Sequence, residues 1–429
     1  MKQPRLRFKA DDGSDFPDWE SKSFSDVFTG LSNNTLSRNC LNNECGQAKN
    51  IHYGDVLIKY GSVVDIQTDG VPFVNSDIDC KRWDCLRDGD IVIADTAEDD
   101  TVGKVVEIMN VGSDMLFSGL HTIACRPRDA FASKYLGYYM NSKAYHEQLR
   151  PYMQGIKVTS VSKSNISLTH IEIPSLPEQR KIADLFSTVD SVIDAQQAEV
   201  DAWKQRKKGA MQKLFSQEVR FKADDGFDYP DWESKSFSDV FMGLSNNTLS
   251  RDCLNSKRGQ AKNIHYGDVL IKYGSVVDIQ NDGVPFVNSD IDCKRWDCLH
   301  DGDIVIADTA EDDTVGKVVE IMNVGSDTLF SGLHTIACRP RDAFASKYLG
   351  YYMNSKAYHD QLRPYMQGIK VTSVSKSNIS STHIEIPSLP EQRKIADCLS
   401  SINDVVVKAK AELAKWRELK KGLLQQMFV

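Results

Sequence analysis

The chain has 429 residues, 41% of them hydrophobic and 26% charged, and a formal net charge of −8. This is the make-up of a soluble globular protein of two or three domains, and no apolar run nears the roughly 18 residues that span a bilayer. No signal-peptide core follows Pro4-Arg5, so the expected compartment is the cytoplasm, with the ten cysteines reduced. An acidic total argues against a nucleic-acid partner only if the charge is evenly spread, and here it is not. Residues 77–114 hold eleven acids and four bases; residues 121–165 hold seven bases and two acids.

In chain order, the first 176 residues read as one α/β domain. Val56-Leu57-Ile58, Ile91–Ala94, Val102–Ile108 and His121–Cys125 are short apolar or β-branched runs that suggest strands. Gly54-Asp55, Asp69-Gly70 and Asp88-Gly89-Asp90 punctuate them as turns. Residues 130–149 read as one helix whose stripe of Phe131, Tyr135, Tyr138, Tyr139, Tyr145 and Leu149 faces the core. His121, flanked by Leu120 and Ile123, reads as a core histidine, and Asp95, Glu98, Asp99 and Asp100 as a solvated loop. Cys40/Cys45 and Cys80/Cys85 are C-x4-C pairs of a kind that can hold zinc. A second copy of this segment, described below, has Arg258 in place of Cys45. No metal is therefore expected, and the cysteines are read as small apolar residues.

The best DNA-contact segment is Gly155–Asn165, which is small, polar and basic. Lys157 and Lys163 suit phosphates, and Thr159, Ser160, Ser162 and Asn165 suit phosphates or base edges. Arg126 and Arg128 join it, and Lys59, Tyr60 and Ser62 form a weaker cluster. The alternative is an ordinary polar loop. Pro177 then opens a helix, 177–215, whose seam of Ile182, Leu185, Val189, Val192, Gln196, Val200, Trp203, Ala210 and Leu214 keeps the spacing of a coiled coil.

At an offset of 213 the chain repeats. Residues 8–184 and 221–397 differ at 12 of 177 positions without a gap. A second domain is thus expected over 216–389 and a second helix over 390–429, with Ile395, Leu399, Ile402, Val406, Ala409, Leu413, Trp416, Leu423 and Met427 on its seam. The repeat gives the second set of contact residues: Lys370, Thr372, Ser373, Ser375, Lys376, Asn378, Lys272, Tyr273, Ser275, Arg339 and Arg341. The short 215–221 connection implies antiparallel helices, because five residues reach at most about 18 Å and each helix runs roughly 55 Å. The expected architecture is two α/β (α+β) domains on a two-helix antiparallel spacer, pseudo-two-fold in one chain. Such an object reads two DNA half-sites or grips two identical protein partners.

Phe16-Pro17-Asp18-Trp19-Glu20 and Ile173-Pro174-Ser175-Leu176-Pro177-Glu178-Gln179-Arg180-Lys181-Ile182, each present twice, resemble the specificity subunits of type I restriction–modification enzymes. Residues 155–171 share the resemblance, which covers essentially the whole chain. It implies double-stranded DNA as ligand, with two modification and two restriction subunits as partners. S-adenosylmethionine, ATP and magnesium would belong to those partners, and no cofactor to this chain. It also implies partner-docking or spacer roles for Gln179, Ile182, Trp203, Gln392, Ile395 and Trp416. The departure is the near-identity of the two domains, where the family usually has unlike ones. No Gly-rich phosphate loop or adenine-methyltransferase motif occurs, so the expectation is a non-catalytic subunit. The rivals are a self-sufficient methyltransferase or nuclease and a protein-binding scaffold. Two like heads facing opposite strands predict a palindromic bipartite target.

Overall fold

The computed structural model describes residues 3–80, 82–155, 157–289, 291–293, 295–368 and 371–429. The chain divides into two compact units, residues 1–197 with 411–429, and residues 198–410. This division cuts across the expected segments: each long helix, Leu176–Phe215 and Leu389–Met427, contributes to both units.

In the first unit a mixed five-stranded sheet has the order Phe28–Gly30, Thr122–Pro127, Ile91–Ala94, Val105–Met109, Val63–Asp65. Ile91–Ala94 lies near its centre and is buried along its whole length, which is why it is an unbroken apolar run. A four-stranded sheet has the order Leu116–Ser118, Lys49–Ile51, Phe73–Val74, Leu41–Asn42. Glu20–Ser23 pairs antiparallel with His170–Ile173 and brings the opening of the domain to the junction with the first long helix. The second unit repeats these pairings.

Three local readings are corrected. Val56-Leu57-Ile58 is the end of a helix, Tyr53–Ile58, and Gly54-Asp55 lies inside it. The His52 ring accepts the Gly54 N–H and caps that helix, a role hydropathy does not reveal. Residues 130–149 form two helices, Tyr135–Met140 and Lys143–Leu149. The break comes at Asn141, whose side chain accepts the Val105 N–H at 3.0 Å and donates to the Val105 carbonyl at 2.7 Å. Ser142 then caps the second helix on the Tyr145 N–H. The tyrosine stripe is core as expected: Tyr135, Tyr139 and Tyr145 are fully buried. Third, Cys45 and Cys85 are exposed rather than packed, unlike Cys125.

The start of the first of these helices rests on a buried acid. Lys134 is left-handed (φ +73°), and Glu107 accepts its N–H at 2.5 Å and that of Gly137 at 2.8 Å. Burial pushes the Glu107 carboxyl up to about 7, against the opposing pull of these N–H groups.

The junction motif is a staple. Glu178, fully buried, accepts two bonds from the Arg7 guanidinium (3.0 and 2.8 Å) and one from the Trp19 indole (3.2 Å). Gln179 accepts the Ala132 N–H at 2.9 Å and donates to the Pro174 carbonyl at 2.8 Å. Arg220, Trp232, Glu391 and Gln392 repeat the arrangement in the second unit. Within the first unit the two long helices run antiparallel. Phe186 stacks on Phe428, Asp190 pairs with Lys420, and Gln197 accepts from Arg417.

Candidate nucleic-acid interface

The basic segment is held by a separate two-stranded sheet. Thr159–Ser160 pairs antiparallel with Thr96–Ala97, and Val161 donates its N–H to the Asp95 carbonyl at 2.9 Å. Gln154 and Ser160 exchange backbone bonds of 3.0 and 2.8 Å, closing a tight loop. Gly155 sits at φ +125°, where a Cβ would fall 1.8 Å from the Val158 carbonyl oxygen, so only glycine fits. The loop holds Lys157 and Val158 out in solvent. Ile156, Ile369 and Lys370 lie outside the described residues.

Ser162 caps a short helix, Lys163–Ile166, by accepting the Asn165 N–H at 3.2 Å. This half-occupies Ser162 locally and leaves Lys163 exposed near Gly30. In the second copy Ser373, Ser375, Lys376 and Arg341 are exposed, and Thr372 and Asn378 half-buried. Arg128 is exposed like Arg341.

Other expected contacts are drawn inward. Arg126 makes a bidentate pair with buried Asp90 (2.8 and 2.7 Å) and also donates to the Cys85 carbonyl; Arg339 does the same with Asp303 and Cys298. Both guanidiniums are spent on the fold. Tyr60 and Tyr273 are each 4% exposed and offer no face for stacking on a base. Lys59 and Lys272 donate to the carbonyls of Gly70 and Gly283, while Ser62 is buried and Ser275 half-buried. Gln179, Ile182, Gln392 and Ile395 are buried inside their units and present no side chain to a docking partner. Trp203 and Trp416 are half-buried, and the Arg206 guanidinium lies over the Trp203 ring, 4.5 Å from its centre.

The residue that sequence reasoning missed is His121. It is not in the core: it is exposed, at φ +54°, just before the strand Thr122–Pro127. Its Nδ1 lies 3.5 Å from Asp95, and the Tyr53 ring meets it edge-on with centroids 5.3 Å apart. Asp95 donates its N–H to the His121 carbonyl, which sets His121 beside the basic loop. His334, Asp308 and Tyr266 repeat this group. A left-handed non-glycine residue carries strain, and such strain gathers at functional positions. The signal in the sequence was Gly119, just after the strand Leu116–Ser118, which marks a turn at Leu120 and His121 that hydropathy overrode. Ile58 and Ile271, each 89% exposed at a helix end, were likewise hidden by the strand reading.

The first domain thus presents Lys157, and each domain a Thr-Ser strand, a capped helix with a lysine and a histidine held by an acid and a tyrosine. Such a surface offers hydrogen bonds and positive charge. Among the described residues no group of three or more His, Cys, Asp or Glu side chains gathers as a metal site. No described helix is long and apolar enough to cross a membrane.

Comparison with known proteins bears on what this surface is for. The type I restriction modification DNA specificity domain matches residues 17–201 and again 229–414. A protein of Methanocaldococcus jannaschii named “Putative type I restriction enzyme MjaX specificity subunit” is 23% identical over 352 residues, 78% of this chain and 76% of its own length. The StySPI specificity subunit of Salmonella potsdam is 22% identical over 290 residues, 63% of this chain and 58% of its own. Among solved structures, the type I restriction–modification S subunit from M. genitalium aligns over 100% of this chain and 99% of its own, with a TM-score of 0.51 at 14% identity. A chain solved in work on complex assembly and conformational transition of the type I system gives 0.52 at 18% identity, over 96% and 98%. These two show a shared fold. The two domain matches together span well over half of the 429 residues, and the chain belongs to the family of type I restriction–modification DNA-specificity subunits.

Proposed function

We propose that this chain supplies DNA recognition to a type I restriction–modification complex and catalyses nothing itself. It reads a bipartite target through its two domains, in the cytoplasm, and docks two modification and two restriction subunits. Adenine methylation with S-adenosylmethionine, and ATP- and magnesium-dependent cleavage, then belong to those subunits. The half-buried Trp203 and Trp416 on the long helices are the docking positions.

The observation that carries this reading is duplication of the same polar, basic patch on two family-matched domains. The patch binds phosphates through lysines and base edges through Thr159, Ser160 and His121, with Thr372, Ser373 and His334 in the second copy. The near-identity of the two domains and the short 215–221 connection support inverted rather than direct half-sites. Readers one turn apart, roughly 10 bp, with half-sites of about 3–4 bp, leave an unspecified gap of roughly 6–7 bp.

Lys157→Ala combined with Lys370→Ala tests the patch. The double variant is expected to weaken binding across all sequences, and to flatten the log–log salt dependence by about one for each phosphate that the loop no longer neutralises. An unchanged slope in a filter-binding or anisotropy titration removes this loop from the DNA. A protein-binding scaffold would show no salt-dependent DNA binding at all. Methyl transfer by the purified chain alone would establish the enzyme reading instead.

A further inference from the structure

The long helices are where the two copies diverge most, and one divergence falls on partly buried charge. In the first unit Lys420 pairs with Asp190 at 2.5 Å and lies 5.5 Å from the centre of the Tyr138 ring. Tyr138 donates its hydroxyl to the other Asp190 oxygen at 2.9 Å. Asp194, one turn further on, feels the same ammonium. Lys104 lies close by and donates to the carbonyls of Leu57 and Tyr60. Lys420 thus has a carboxylate of its own in Asp190.

In the second unit the offset of 213 places Lys207 where Lys420 stands, Tyr351 for Tyr138 and Lys317 for Lys104. The acids do not follow. Asp190 becomes Asn403, Asp194 becomes Val407, and Gln197 becomes Lys410. Lys207 donates to Asn403 Oδ1 at 2.7 Å and lies 5.3 Å over the Tyr351 ring. Lys317 keeps its two carbonyls, those of Leu270 and Tyr273. The charge of Lys410 acts on both other lysines. Among the described residues, none of the three pairs with a carboxylate. Asp404, exposed at the position of Ser191, and buried Glu320 act on the Tyr351 hydroxyl. Lys207 thus lacks the carboxylate that its counterpart Lys420 has in Asp190. Burial and the neighbouring lysines pull Lys207 down to about 8.

We propose that the Lys207–Lys317–Lys410 cluster of the second unit is an anion site for a phosphate group, which supplies from outside the counter-charge that Asp190 supplies in the first unit. Lysine ammoniums bind phosphate as point charges. Free inorganic phosphate and a backbone phosphate of DNA share this chemistry. The phosphate arm of the test needs no DNA, so it stands or falls separately from the specificity reading.

The test is calorimetric titration of the full chain with inorganic phosphate at low ionic strength, with chloride as control. The wild type is expected to bind one phosphate. Asn403→Asp builds the missing carboxylate in place and should weaken phosphate roughly ten-fold, the value of one charge-assisted contact, while raising the unfolding midpoint. Exposed Lys410→Ala, which leaves the fold untouched, should also weaken it several-fold. If the bound group is instead a DNA phosphate, inorganic phosphate gives no heat. Asn403→Asp then lowers the salt slope of DNA binding by about one with the target sequence unchanged. Wild-type phosphate affinity and wild-type salt slope in both variants would overturn the proposal.

Discussion

Glu178→Ala should cost the first unit about 3 kcal/mol, the low end for breaking a buried ion pair, because the Arg7 side chain still reaches water. The substitution leaves the Arg7 guanidinium and the Trp19 indole N–H without their common acceptor. It also unpins the start of the first long helix from the opening of the domain. For a unit of this size the unfolding midpoint should fall on the order of 10 °C. Glu178→Gln keeps an acceptor for Trp19 and should lose distinctly less. Calorimetry of the two variants decides the matter, and equal, small losses would mean that the staple is incidental.

A larger effect is expected at the far end of the chain. Phe428, 3% exposed, completes the core of the first unit against Trp19, Tyr135, Tyr139 and Phe186, with ring centroids 5.6–6.4 Å apart. Its counterpart at the offset of 213 is Phe215, which packs on Tyr348 and Tyr352 in the second unit. Truncating a buried phenylalanine to alanine costs about 3–5 kcal/mol. Phe428→Ala should therefore loosen the first unit and spare the second, and Phe215→Ala should do the reverse. Hydrogen exchange followed by mass spectrometry reads this out. The contrast is informative because Phe428 is far along the chain from Trp19, Tyr135, Tyr139 and Phe186, the aromatic residues it packs against. Uniform loosening of both units by either variant would contradict the division of the chain.

Much of this was legible in the residues. The 213-residue repeat, the apolar strand Ile91–Ala94 and the helix seams follow from periodicity, which reports burial directly. What was hidden depends on side chains bonding to backbone. Asn141 splits an apparent helix by bonding to Val105, His52 caps a helix inside an apparent strand, and Asp90 spends the arginine that looked free for DNA. Each is an interaction between positions that hydropathy treats separately. His121 was hidden in the same way, because its exposure comes from a left-handed backbone rather than from its neighbours' polarity. The junction Pro-Glu-Gln was recognised as a signature, but its job as a buried staple appears only with Arg7, Trp19 and Ala132 in place.

On the proposed function, two near-identical domains read one half-site twice, in inverted orientation. The differences nearest to challenging this are Asn43, Glu44 and Cys45 against Ser256, Lys257 and Arg258. Both loops keep the same turn, with Asn42 or Asn255 accepting two backbone N–H groups, so side-chain charge alone differs. The decisive experiment is single-molecule sequencing of methylated adenines in a strain expressing this chain with its modification subunits. One bipartite motif is expected, its halves inverted copies across an unspecified gap. Two unrelated half-sites, or the same half-site in direct orientation, would contradict the inverted reading.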